Sequence, residues 1–203
     1  EPVPLVKCRT VDLEVPASAE IIIEGRLSTT HLEHEGPHGE FPGYIGPRHM
    51  MPFVDVTCIT HRRDAIFCGI LSQFPPSESS KIRQIGQEGI FFKYLRDDSN
   101  IPGVKAVAMH EAAGSAHFCV IQMKKTRPSD TWQALHAFSA RNVTDGKYVV
   151  VVDEDIDPWD LHSVVWAMAF RTQPIYDVRI ISGKAGGIDP ATNPPGRSRE
   201  EAD

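Results

Sequence analysis

What this 203-residue chain lacks narrows its class quickly. No apolar run approaches the roughly 18–20 residues needed to cross a bilayer. The opening residues, Glu1 to Cys8, contain no apolar h-region, so nothing reads as a secretory signal. Position 1 is not Met, as expected of a fragment or a processed chain. Positive charge is not in excess: 21 Lys and Arg against 27 Asp and Glu leave a formal charge of −6, which argues against nonspecific nucleic-acid binding. Cysteine is sparse. Cys8, Cys58, Cys68 and Cys119 form no C-x-x-C pair, and the last three sit in apolar, strand-like stretches. They read as reduced structural thiols of a cytoplasmic protein. There are no internal repeats.

What is present suits a globular protein. Apolar residues make up 41% and charged residues 24%, enough to bury a core. Residues 10–72 read mostly as strands: Ala19–Glu24 is β-rich, Phe53–Thr60 alternates with β-branched residues, and Ala65–Leu71 is a short apolar run. Ser77 stands as N-cap before a helix carrying Ile82, Ile85 and Ile90. From residue 101 the pattern is ββαβαβ. Val104–His110 and His117–Met123 flank an Ala-Ala-Gly-Ser hairpin signal. Ser129 caps a helix with Trp132, Leu135 and Phe138, and Lys147–Val152 is an apolar strand. Asp157-Pro158 opens a helix with a Leu161, Val164, Val165, Met168 stripe, and Asp177–Ile181 is a last strand. This predicts an α+β chain: part of a β-barrel or curled sheet over 1–100, an α+β sandwich with helices on one sheet face over 101–181, and a loop or tail over 182–203.

The residues with most chemical content are Glu35-Gly36-Pro37-His38-Gly39-Glu40. The Gly-Pro-x-Gly interior cannot be helical, and such a loop can aim two carboxylates at one small volume. Like charges held close separate in pKa, so one can stay protonated and act as an acid. His31, His34 and His38, with Glu33 and Glu35 nearby, could be read as a metal cluster, but their spacing matches no loop-type zinc signature and surface histidines explain them as well. His61 reads as satisfying polar groups at a strand end. The acidic run Asp153, Glu154, Asp155 and Asp157 reads as a helix N-terminus complementing the macrodipole.

These motifs occur in an order that resembles the UbiD family of reversible aromatic and α,β-unsaturated carboxylate decarboxylases. The resemblance is carried by Val15–Gly25, by the acidic stretch through Tyr44, by Ile59-Thr60-His61-Arg62-Arg63-Asp64, by Val149–Pro158 and Val165-Trp166-Ala167, and by Gly183-Lys184 and Ile188–Asn193. It implies a split β-barrel of flavin-reductase type for the first part. It implies prenylated FMN as cofactor, with Mn2+ and K+, and a small aromatic or unsaturated carboxylic acid as substrate. Glu40 matches the family's proton donor, Glu35 the member that supports an upstream arginine, and Phe41 a residue against the substrate. Lys147, then Lys184, match the phosphate contact. The family's cofactor-binding asparagine, catalytic arginine and metal-binding histidine and glutamate lie upstream of the match to Glu1, so no metal ligand is assigned and the chain alone is expected to hold the cofactor weakly. The resemblance also implies a homo-oligomer, or a companion chain that supplies the missing segment. Two other readings stay open: an inactive scaffold or oligomerisation fragment, and a metal-dependent hydrolase using the histidines.

Overall fold

A computed structural model describes residues 2–183 and 191, in two compact units: one of residues up to His38 with Ile45–Ile70, the other of Gly39–Tyr44 with the chain from Leu71 onward. The helix after Ser77 thus groups with the second unit, and the division lies near residue 70 rather than 100.

The first unit is built from three antiparallel two-stranded ladders: β1 (Leu5–Lys7) with β2 (Glu14–Pro16), β3 (Ile21–Leu27) with β6 (Val54–His61), and β4 (Glu33–Glu35) with β5 (His49–Met51). β3 and β6 form where the β-branched runs place them. Among the described residues the ladders close into no barrel, and apolar side chains such as Ile23 and Ile59 remain exposed. The buried residue that organises this unit is polar. The Glu24 carboxylate accepts from Arg9 N at 2.9 Å and from Thr10 N and Oγ1, both at 2.7 Å. Those bonds, the Arg9 amide foremost, hold its pKa below the usual carboxylate range. Thr10 Oγ1 also lies 2.6 Å from Thr57 Oγ1, which ties the loop after β1 to β6. The apolar run Ala65–Leu71 forms no strand: no ladder among the described residues takes up its backbone groups, and Ile66, Phe67 and Cys68 are exposed.

In the second unit, α1 (Glu78–Lys93) begins at Ser77 through a reciprocal capping box with Ser80 and continues into a π-helical turn, Tyr94–Asp98. β7 (Val104–Met109) pairs antiparallel with β8 (Phe118–Met123), and β8 pairs parallel with β9 (Tyr148–Val152). Helices α2 (Ser129–Arg141), α3 (Leu161–Phe170) and the single turn α4 (Pro174–Asp177) complete the unit. The helices cover both faces of the sheet, not one. Cys119, Ile121 and Met123 pack with Phe91 of α1 and Phe138 of α2, while Val120 packs with Val152, Val164 and Ala167 on the side of α3. Burial of both faces is why β8 and β9 read as near-continuous apolar runs. The isoleucines that signalled α1 (Ile82, Ile85 and Ile90) lie on its exposed face. The expected last strand is absent: Asp177 ends a helical turn, residues 178–181 form no ladder, and Ile180 is 98% exposed.

Two expected caps move. Asp160, not Asp157, caps α3, accepting from the amides of His162 and Ser163. Asp157 instead accepts from Trp159 N in the preceding turn. Ser129 lies inside α2 and caps nothing, because Asp130 reaches back to accept from Thr126 N (2.9 Å), Thr126 Oγ1 (2.8 Å) and Arg127 N (3.0 Å). These bonds lower the Asp130 pKa from its ordinary 3.8 to about 2, the Thr126 amide contributing most. A carboxyl depressed in this way stabilises the fold above its ordinary value and loses that contribution as pH falls toward the folded value. Asp130→Asn should therefore lower the urea midpoint at neutral pH, and its gap from the wild type should close as pH drops from 3.8 to about 2. A gap that is the same at both ends of that range would contradict a charge-based cap.

Candidate active site

The two carboxylates of the acidic stretch belong to different units. Glu35 ends β4 in the first unit, exposed and in register with His49 of β5. Glu40 lies in the short insertion, residues 39–44, that packs with the second unit. Its backbone closes a tight turn: Glu40 N donates to Tyr44 O at 2.8 Å, and Gly43 N donates to Glu40 O at 3.0 Å. Gly43 has φ +88°, a conformation that favours glycine, and a Cβ there would stand 2.9 Å from the Phe74 ring and displace it.

Next to Glu40, the Phe41 ring is seated by two groups. The Arg83 guanidinium of α1 lies 4.6 Å from the ring centroid. The ring edge rests on Gly114, where a Cβ would approach to 2.6 Å. Gly114 is left-handed at φ +66° and closes the 3-10 turn Glu111–Ala113 between β7 and β8. Arg83 Nη1 donates to the Gly114 carbonyl at 3.2 Å, so the two groups that hold the ring also hold each other.

A second carboxylate locks that turn to α1. Glu111 accepts from Ser80 Oγ at 2.6 Å and Ser77 N at 3.2 Å, and pairs with Lys81 Nζ at 2.9 Å. The Ser80 hydroxyl first, and Lys81 next, hold its pKa below the usual range. Ser115 Oγ adds a buried bond to Ser80 O at 2.8 Å. Arg83, Glu111 and Gly114 were not singled out from the sequence. The available signal was the Ala-Ala-Gly-Ser stretch, legible only as a hairpin.

Lys147 is exposed at the start of β9. Its neighbours are fixed to the start of β8: Gly146 N donates to Ala116 O (2.7 Å) and Tyr148 N to His117 O (2.9 Å). Across that pairing, His117 Nδ1 is buried with no hydrogen-bond partner among the described residues. The segment leading into β8 thus sets the register of the residues flanking Lys147. Lys184 and the Ile188–Asn193 motif fall essentially outside the described residues.

The remaining sequence candidates resolve into structural roles. His31 packs edge-on against Phe53 at 5.5 Å, and a His61 ring nitrogen lies 2.7 Å from Arg62 O at the end of β6. Among the described residues, no group of three His, Cys, Asp or Glu side chains could hold a metal ion. Two members of the acidic run pair with cations, Asp153 with Lys125 at 3.0 Å and Asp155 with Arg171 at 2.6 Å, rather than serving a helix terminus. A cavity of about 530 Å³ lies along β9 between α2 and α3, lined by Trp132, Val150, Met168 and Val178 among others, and contains none of the predicted site residues.

The sequence profile of the 3-octaprenyl-4-hydroxybenzoate carboxy-lyase Rift-related domain matches residues 1–75, and that of the C-terminal domain of the same enzymes matches residues 86–200. An uncharacterised protein of Aquifex aeolicus is 36% identical over 196 residues, 95% of this chain and 39% of its own length. Among solved structures, the evolved dimeric form of the UbiD-class enzyme HmfF from Pelotomaculum thermopropionicum, in complex with prFMN, is similar at TM-score 0.80 and 38% identity. That match covers 90% of this chain and 42% of HmfF. The vanillic acid decarboxylase of Sedimentibacter hydroxybenzoicus in its open form is similar at TM-score 0.83 and 31% identity, over 95% of this chain and 41% of that one. The chain therefore spans about two fifths of the length of such relatives. With both domain profiles matched in order, this chain belongs to the UbiD family of carboxy-lyases.

Proposed function

We propose that this chain is the acid-bearing portion of a reversible, non-oxidative decarboxylase acting on an aromatic or α,β-unsaturated carboxylic acid. The observation that carries the reading is the E-G-P-x-G-E loop inside the matched domains, with Glu40 held in a hydrogen-bonded turn. In this reading the substrate's C–C bond to its carboxylate breaks and CO2 leaves. The carbon keeps the bonding pair, and the Glu40 carboxyl delivers a proton to it. Glu35 supports the family's upstream arginine and tunes the pair rather than delivering the proton. Phe41, half-buried beside Glu40, presents the free part of its ring to the substrate.

The cofactor of this reading is prenylated FMN, which when bound supplies an electron sink for the pair left on carbon. Lys147, an exposed lysine immediately before β9, is the first candidate for its anionic end. Lys184 is the second phosphate candidate. Mn2+ and K+ belong to the same family reading, and no residue of this chain is assigned to either. The split β-barrel is the proposed form of the first unit when its exposed apolar strands are covered. A homo-oligomer, or a companion chain that covers those strands, belongs to the same proposal.

In the holoenzyme, Glu40→Gln should abolish turnover, a loss on the order of a hundredfold or more for a general acid, while leaving cofactor content intact. Turnover within a few-fold of wild type would remove Glu40 from the role. Glu35→Gln should also slow turnover. Lys147→Ala should weaken flavin retention roughly tenfold or more, as expected for loss of a charge-assisted contact, and unchanged retention would dismiss it as the phosphate contact. Light scattering on the eluting chain should give a mass above the 22.5 kDa of a single copy, and a mass of 22.5 kDa across a wide concentration range would contradict self-association.

A further inference from the structure

Residues 39–44 leave the unit that holds their flanking sequence and join the other. The side chain by which they do so is Phe41, caught between the Arg83 guanidinium, 4.6 Å from its centroid, and the backbone of Gly114. Gly43 against Phe74 fixes the other end of the same turn. Each part of the seat is itself immobilised. Arg83 is bonded to Gly114 O, and the residues on either side of Gly114 are tied to the start of α1 by Glu111 and Ser115. An arginine whose role were only surface solvation would need neither a ring under it nor a carbonyl at 3.2 Å. A Phe whose role were only substrate contact would not need a glycine at φ +66° beneath it.

We infer that Arg83 and Gly114 form a clamp on Phe41 that positions the Glu40 carboxyl for proton delivery. Arg83 is a positioning residue: it acts on the acid through Phe41 and does not itself exchange the proton. The inference rests on Glu40 being the acid, and the two can be separated by experiment. Any side chain at Gly114 must push the Phe41 ring away, because a Cβ there would meet it at 2.6 Å and the left-handed backbone disfavours one as well. Replacing Arg83 by Lys keeps the charge and loses the planar group that lies over the ring. Phe41→Leu keeps an apolar side chain and loses the ring itself.

Two measurements test the clamp. The first is amide hydrogen exchange on this chain. Gly114→Ala and Arg83→Ala should speed exchange at Gly43 and Glu40, whose N–H groups close the turn, by about tenfold or more, as for a locally opened segment. Ile85→Ala, on the exposed face of the same helix, should leave both amides as in the wild type. The second is turnover in the holoenzyme. Gly114→Ala should lower kcat roughly tenfold to a hundredfold, the scale of a reacting group displaced by about 1 Å, with KM changed much less, whereas Phe41→Leu should lower kcat similarly and also raise KM, because its ring faces the substrate. Arg83→Lys should fall between Arg83→Ala and the wild type. Unchanged amides in Gly114→Ala would overturn the clamp. Faster exchange with wild-type kcat would overturn its positioning role. Glu40→Gln run alongside reads the parent assignment separately: full activity there removes Glu40 as the acid, whatever the amides show.

Discussion

Burial of β8 on both faces is the constraint from which the second unit follows. Cys119, Val120 and Ile121 are fully buried, and their alternation sends one set toward α1 and α2 and the other toward α3. A strand loaded in this way tolerates no one-residue slip, because a slip would exchange the two cores. Register therefore propagates outward. Antiparallel to β8, β7 sets the length of the turn that places Gly114. Parallel to it, β9 sets the position of Lys147. The Phe91–Phe138 stack, with centroids 4.1 Å apart, pins the two helices on one face.

The site inherits its precision from that frame. Glu40 is carried by a six-residue insertion, too short to hold a carboxyl in place by itself. Its order comes from Phe41 and Gly43, each packed where a side chain on one partner is met by a bare glycine on the other. Buried or half-buried carboxylates do the corresponding work elsewhere. Glu111 joins the β7–β8 turn to α1, and Glu24 gathers the loop after β1. All accept from several donors at once, which keeps them ionised and makes them acceptor hubs rather than acids. Glu40 lies on the turn of residues 39–44 beside the Phe41 ring.

Much of this was legible in the residues. The periodicity of β3, β6, β7, β8 and β9, the Ser77 cap and the acidic stretch all carry local signals, and the order of motifs carries the family. What was not legible is non-local. The partition of Glu35 and Glu40 between two units depends on where Phe41 packs, and nothing within 39–44 announces it. Ile82, Ile85 and Ile90 fit a helix but not its buried face, because Phe91 and Leu95 are what the sheet receives. Ser129 is a good cap by type and loses to Asp130, whose longer reach captures three donors. Asp177–Ile181 has strand composition, yet composition cannot supply a ladder partner. The acidic run 153–157 reads as the start of the helix that follows it, whereas Lys125 from the segment after β8 claims Asp153 and Arg171 from the far end of that helix claims Asp155.

The central claim is that the Glu40 carboxyl moves the proton at the carbon that carries the carboxylate. In the proposed reversible reaction that step can be watched without net decarboxylation. The holoenzyme would be incubated in D2O with the decarboxylated product of any carboxylate it turns over, and deuterium entry at that one carbon followed by NMR. The account predicts site-specific exchange with the wild type and none above the uncatalysed background with Glu40→Gln, at equal cofactor content. Exchange by Glu40→Gln at the wild-type rate would contradict it.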